Sequence, residues 1–130
     1  LDFSLIDLII AIESVVEKVK PQIAYIPSNK DTNQDHRATF DACKVALRYI
    51  NKILAYEIVN SSNDFSPNIF LNAEKYIKLK LKAIELYGEE IREFPYPRSL
   101  EGVRILSQYR GMKVFNNHVE AFELIRDVIE

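Results

Sequence analysis

The sequence predicts an all-α protein: one domain of five or six packed helices around a central helix at about 35–59. Three observations carry that prediction. Apolar residues recur at helical spacing in every long segment. Only three glycines and five prolines occur in 130 residues, which favours long helices over many short strands. The stretch DHRATFDACKVALRYINKILAYEIV is apolar around most of a helical circumference, as expected of a helix touched by neighbours on most sides.

The first helix is expected from about Asp2 or Ser4 to Val19. Ser4 followed by Asp7 resembles a capping box, and Pro21 ends the helix. Leu5, Leu8, Ile9, Ile12, Val15, Val16 and Val19 make its apolar face. Residues 21–34, PQIAYIPSNKDTNQ, read as a long connection with two prolines and a polar tail, either functional or mobile, or else an ordered crossover pinned by Ile23, Tyr25 and Ile26.

On the central helix, Phe40, Cys43, Leu47, Ile50, Leu54 and Ile58 form one stripe, and Val45, Tyr49, Ile53 and Tyr56 widen it. Arg37, Asp41, Lys44, Arg48 and Lys52 occupy the remaining wedge. A loop NSSNDFSP follows, and Ser66-Pro67 opens a helix to Tyr87 with Ala73, Tyr76, Ile77, Leu81 and Ile84 as its core line. Gly88 stops it. Ser99 caps the next helix to about Tyr109, which Gly111 ends; MKVFNN is a short extended piece. Asn117 then starts a last helix with Val119, Phe122, Leu124, Ile125 and Val128 in the core.

At 130 residues the whole chain is expected to form a single helical domain. It opens on Leu1, so an N-terminal segment is expected to have been removed. Hydrophobic residues make up 48% and charged residues 28%, which excludes wholesale disorder. No apolar run is long enough for a membrane span, so no membrane partner is expected. One cysteine supplies neither an internal disulfide nor the ligands of a zinc knuckle or iron–sulfur cluster. No metal or cofactor is expected, and the setting is read as reducing and cytoplasmic.

The net charge of −2 argues against bulk nucleic-acid binding, but the charges are segregated. Residues 1–20 hold four acids and two lysines, while residues 37–56 and 98–113 each hold four bases and one acid. No nucleophile elbow, phosphate loop, HExxH or EF-hand motif occurs. The Arg–His motif of the HEPN ribonuclease fold is not matched, since Arg110 and His118 have seven residues between them.

The remaining chemical signal is anion recognition. His36 and Arg37 stand in the first turn of the central helix, where free N–H groups and the helix dipole favour a phosphate. Arg48 offers a bidentate fork, and Lys44 and Lys52 act as point charges. The alternative is that these bases only solubilise the exposed strip of a buried helix.

At DHRATFDACKVAL the sequence resembles a family. The C-terminal domain of the archaeal and eukaryotic primase large subunit has a helix opening on His, then Ala-Arg-Phe. His36, Ala38 and Phe40 keep that register, with Thr39 at the arginine position and Arg37 two residues earlier. Four cluster cysteines are absent, which makes the chain similar to the PriX family, the cluster-free third subunit of some archaeal primases. The resemblance implies a non-catalytic accessory subunit in archaeal DNA replication. Its partners would be the primase small and large subunits, a nucleoside triphosphate and a single-stranded DNA template, with His36 on the triphosphate and Arg37 replacing the displaced arginine. Lys44, Arg48 and Lys52 are additions from the helical wheel, and Tyr49 or Tyr109 would stack on bases. The competing expectation is a helical protein–protein interaction subunit that does not touch nucleic acid.

Overall fold

In a computed structural model, residues 4–130 are described. In chain order the elements are α1 (Leu5–Val19), β1 (Ile23–Pro27), α2 (Gln34–Ala46), β2 (Lys52–Tyr56), β3 (Ile69–Asn72), α3 (Ile77–Glu85), a 3-10 turn at Gly88–Glu90, α4 (Leu100–Met112) and β4 (Val119–Asp127). The strands form one sheet in the order β1-β2-β4-β3. The protein is therefore α/β, and the all-α expectation is corrected. The expected part of the first helix at Asp2 lies outside the described residues.

Two compact units make up the chain, one running through Ser66 and including Phe122–Glu130, the other Pro67–Ala121. In the first unit, β1, α2 and β2 form a β-α-β unit with β1 and β2 parallel, Ile23 opposite Lys52 and Pro27 opposite Tyr56. Parallel neighbours need such a crossover. β2 pairs antiparallel with β4, from Lys52 opposite Asp127 to Tyr56 opposite Phe122, with a bulge between Ile53 and Leu54.

The core of this unit is Ile26, Phe40, Cys43, Leu47, Ile50, Ile53 and Ala55, with Ile12, Val16 and Ala24 packed against it. Ser4 does cap α1, accepting from the Asp7 N–H at 3.2 Å. Lys20, at φ 50°, ends the helix in a left-handed cap whose N–H donates to Val16 O, one residue before Pro21. No residue of α1 is fully buried; it presents only Ile12, Val16 and their flanks to the core.

The expected central helix is two elements. Asn33 caps α2 by accepting from the Asp35 N–H at 2.9 Å, and the helix ends at Ala46. The carbonyls of Leu47, Arg48 and Ile50 then accept from Arg126 Nη1 on β4 at 3.0, 2.8 and 3.3 Å. A guanidinium that gathers three carbonyls of one turn satisfies acceptors a continuing helix would have used. Beyond the turn, Ile53, Leu54 and Ala55 are consecutive and all buried, the mark of a strand covered on both faces. A run apolar all round a helical wheel and a strand buried on both sides look alike in sequence.

In the second unit, β3 and α3 replace the expected helix from 67 to 87. Ser99 caps α4 as expected, its Oγ accepting from the Gly102 N–H at 2.9 Å. Gly111 lies inside α4, where an added Cβ would come within 2.3 Å of Asn116 O, so the helix and the returning chain close on a position only glycine fills. The expected extended piece MKVFNN is instead the end of α4 at Met112, a turn over residues 113–115 and a bend at Asn117. The last expected helix is β4, and Asn117 does not open a helix: its N–H donates to Glu74 Oε1 at 2.7 Å.

Candidate active site: the Asp31–His36 pair

Because β1 and β2 are parallel, their carboxyl ends lie at one edge of the sheet, where ligands of open α/β folds collect. The six residues from Ser28 to Asn33 link the end of β1 to the start of α2. Every turn of this loop is pinned. Ser28 Oγ accepts from the Lys30 N–H at 3.0 Å, and the Asp31 N–H donates to Ser28 O at 3.2 Å. Lys30 O accepts from both the N–H and the hydroxyl of Ser62, each at 2.8 Å, and Asp31 bridges to Ser61.

At its centre Asp31 is 3% exposed. One carboxylate oxygen accepts from the Asn33 N–H at 2.8 Å; the other lies 2.6 Å from His36 Nδ1. A carboxylate has only acceptors, so Nδ1 carries the proton and donates. Nε2 is left as the lone-pair nitrogen of a neutral ring, or a second donor if the ring is charged. The His36 side chain is 37% exposed and Asp31 only 1%. Such a pair presents an oriented imidazole, as histidines do when they carry protons in catalysis or ligate metals.

Around the pair, Arg37 Nη1 donates to Asp31 O at 2.9 Å. Lys30 Nζ sits 2.5 Å from Glu123 Oε2 on β4. Burial pushes the Tyr56 hydroxyl above its ordinary value, with the charge of Asp31 and then of Cys43 adding to the rise. Tyr56 is the last residue of β2.

Of the residues singled out in the sequence, the structure brings His36 and Arg37 together on Asp31. Lys44 is on α2, with Nζ 5.8 Å from the Phe40 ring centroid. Arg48 lies past the helix end, paired with Glu13 and donating to Val45 O. Lys52 opens β2, opposite Ile23 and Asp127. The five therefore do not share one helix face. Tyr49 is 85% and Tyr109 54% exposed, each beneath a neighbouring arginine. Sequence reasoning passed over Asp31, Lys30, Ser28, Tyr56 and Glu123. The only local signal was an aspartate five residues before a histidine, in the polar tail after a short apolar run.

Among the described residues no group of three or more His, Cys, Asp or Glu is placed to hold a metal ion. No helix among them is long and apolar enough to cross a membrane.

No protein-family model matches the chain. Over 85 residues it is 33% identical to the uncharacterized deacetylase YaiS of Escherichia coli, a match covering 61% of this chain and 46% of that protein. Its fold is similar to the conserved protein TT1542 of Thermus thermophilus (TM-score 0.80, 15% identity, 95% of this chain and 60% of that one). It is also similar to the 4-carboxy-2-hydroxymuconate hydratase GalB of Pseudomonas putida (TM-score 0.75, 16% identity, 95% and 60%). A third similar structure is the zinc-inhibited form of teicoplanin deacetylase Orf2 (TM-score 0.73, 14% identity, 97% and 53%). The chain thus spans about half the length of the curated relative and just over half of these structures.

These findings overturn the primase reading. The fold is the α/β fold of these proteins, not the helical domain of a primase large subunit or of PriX. Primase subunits, a nucleoside triphosphate and a DNA template are not indicated as partners, nor is a role in DNA replication. The expectation of a non-catalytic accessory subunit is corrected too, since the similar proteins named above with an activity are two deacetylases and a hydratase. The alternative of a helical interaction subunit has no support either. What the chain is similar to is a set of α/β proteins that includes deacetylases and a hydratase.

Proposed function

We propose that the chain forms part of the active site of a deacetylase, an enzyme that hydrolyses an acetyl amide to acetate and an amine. The observation that carries the reading is the 2.6 Å contact between His36 Nδ1 and a carboxylate of Asp31 that is almost fully buried. It lies at the carboxyl ends of two parallel strands, in a chain with deacetylase relatives. In this reading Asp31 sets the ring orientation and tautomer, and His36 presents Nε2 to the reacting centre. Tyr56, at the end of β2, stands at the edge of the same site, where its hydroxyl feels the charge of Asp31. His36 and Arg37 stay in the proposed site, with Arg37 bracing the Asp31 carbonyl rather than binding an anion.

Zinc is named with one similar structure, and the residues here do not make a zinc site by themselves. His36 Nε2 is one donor, Asp31 is already committed to Asn33 and His36, and no third ligand joins them among the described residues. No step is derived through a metal. A cytoplasmic setting belongs to the same proposal, supported by the free, buried thiol of Cys43.

The test is acetate release by the complete native polypeptide, with N-acetylglucosamine and teicoplanin as probes. His36→Ala is expected to lower kcat/KM by about 100-fold or more, the range for loss of a positioned proton-transfer group. Asp31→Asn keeps the shape but removes the charge and leaves the ring free to reverse, and is expected to lower it by about tenfold or more. Unchanged activity in His36→Ala overturns the reading. The fold likeness to GalB supports a second reading, addition of water across a carbon–carbon double bond. Loss of absorbance of an unsaturated dicarboxylate without acetate release from either probe selects it.

A further inference from the structure

We propose that Glu123 is a positioning residue for the Asp31–His36 pair, acting through Lys30; this rests on the deacetylase-type reading of that pair. Asn33 and Arg37 also touch Asp31, but they belong to the same loop and the helix it leads into, so they move with it. Glu123 stands 93 residues after Lys30 in the chain. It is on β4, opposite Ala55 of β2, whose parallel partner on β1 is Ile26. Its carboxylate therefore rises from the sheet beside the point where the loop departs.

Both of its oxygens hold that loop. Oε2 lies 2.5 Å from Lys30 Nζ, and Oε1 accepts a long 3.4 Å bond from Ser28 Oγ. Ser28 is wholly buried, and the ion pair is mostly withdrawn from water, at 28% side-chain exposure for Lys30 and 14% for Glu123. Lys30 is held at its other end by the two bonds from Ser62 to its carbonyl, and the next residue is Asp31. Glu123 thus ties the residue before the buried carboxylate to the sheet. Without it the ammonium is left half-buried and unpaired, a costlier state than an exposed charge. It would turn towards water and take the loop with it. A displacement of about 1 Å at a reacting group lowers rates by about 100-fold.

The experiment combines kinetics with a readout that needs no substrate: the downfield proton resonance of His36 Nδ1–H, held on Asp31, in the native polypeptide. Glu123→Ala is expected to broaden or remove that resonance and to lower kcat by about 10- to 100-fold, with KM within about threefold. Glu123→Gln, which keeps an oxygen for Lys30, is expected to retain the resonance and to recover most of kcat. Lys30→Met/Glu123→Leu removes both charges together and is expected to fold as stably as the wild type while still lacking the resonance. That variant separates positioning from stability should Glu123→Ala fail to fold. If the resonance and kcat survive in Glu123→Ala or in the double variant while His36→Ala is inactive, the positioning role is overturned and the deacetylase reading stands. If His36→Ala stays active, the deacetylase reading falls, and with it the positioning role.

Discussion

Residues 34–46 and 52–56 are separated in the chain only by residues 47–51, both bury apolar side chains, and fold differently. In α2 the buried residues Phe40, Ala42, Cys43 and Ala46 alternate with exposed Asp41, Lys44 and Val45, so burial follows a helical period. In β2, Ile53, Leu54 and Ala55 are 2%, 4% and 0% exposed in succession, and there is no period to follow. The difference teaches where a helical wheel misleads. A stripe that widens until it covers the circumference has stopped being evidence for a helix. The chain changes state at the turn whose carbonyls Arg126 gathers, and that residue lies in a strand 76 to 79 positions away.

The largest expected effect tests the strand half directly. Ile53→Ala and Leu54→Ala should each destabilise by about 2–5 kcal/mol, because both remove buried methyl groups from a packed interior. Neighbouring positions on a surface-lying helix would not both be so sensitive, and on a one-sided strand only one would be. Urea unfolding of the two variants checks this; a cost confined to one of them would mean that β2 is covered on one face only.

Asn33→Ala acts on the helix half and is expected to cost about 1 kcal/mol, the usual loss for a side-chain cap. The cap also leads directly from Asp31, so the same variant should disturb the proposed site, whereas Ser99→Ala at the start of α4 should cost a similar amount without touching His36. Comparing the two by thermal unfolding and acetate release separates loss of a helix cap from loss of the loop.

These caps mark what was legible in the sequence. Ser4 and Ser99 were readable because a cap and its partner lie three residues apart, and His36 stood out because it begins a periodic stretch. Local rules reach that far. β1, β3 and β4 were not readable as strands: IAYIP and IFLN are too short to show a period, and β4 reads Val-Glu-Ala-Phe-Glu-Leu-Ile, which suits a helix face as well as a sheet. Their pairing is decided by partners far off in the chain. The site was half legible for the same reason. Asp31 is an ordinary loop aspartate until burial makes it the partner of His36, and Glu123 looks like one more surface acid until the sheet brings it to Lys30.

Each half carries one acid whose ionisation reports on its burial. Burial pushes the Cys43 thiol in α2 above its ordinary 9.0, and burial followed by the charges of Asp31 and Cys43 pushes the Tyr56 hydroxyl in β2 above its ordinary 10.0. In both the folded protein holds the proton to higher pH than the unfolded chain does. Stability from each group is therefore complete below its unfolded value and declines as pH rises through the folded one. Unfolding measured between pH 8 and pH 11, values chosen to bracket both groups (roughly one unit either side of their ordinary pKa values), should show stability falling. Cys43→Ala should flatten the lower part of the decline and Tyr56→Phe the upper part. A stability curve indifferent to both substitutions would mean that neither side chain is desolvated.

The smallest effect gives the finest test of the comparison, since it turns on sign. Lys44 lies on the outer face of α2, and Lys52 begins β2, partly buried between Ile23 and Asp127. Threonine is a poor helix residue because its branched Cβ restricts χ1 against the preceding turn, and a good strand residue because that branching packs on a pleated surface. Lys44→Thr should therefore destabilise by about 0.5 kcal/mol, the weak contact between Lys44 and the Phe40 ring adding a little to the loss. Lys52→Thr should be neutral or stabilising by a similar amount, less whatever the lysine gains from Asp127 opposite it. The quantity to measure is the shift in urea midpoint at constant slope, so that each change reads as stability and not as compaction of the unfolded chain. Opposite signs for one substitution made eight residues apart would locate the change from helix to strand between them. A single continuous helix through both lysines would give losses of the same sign and size.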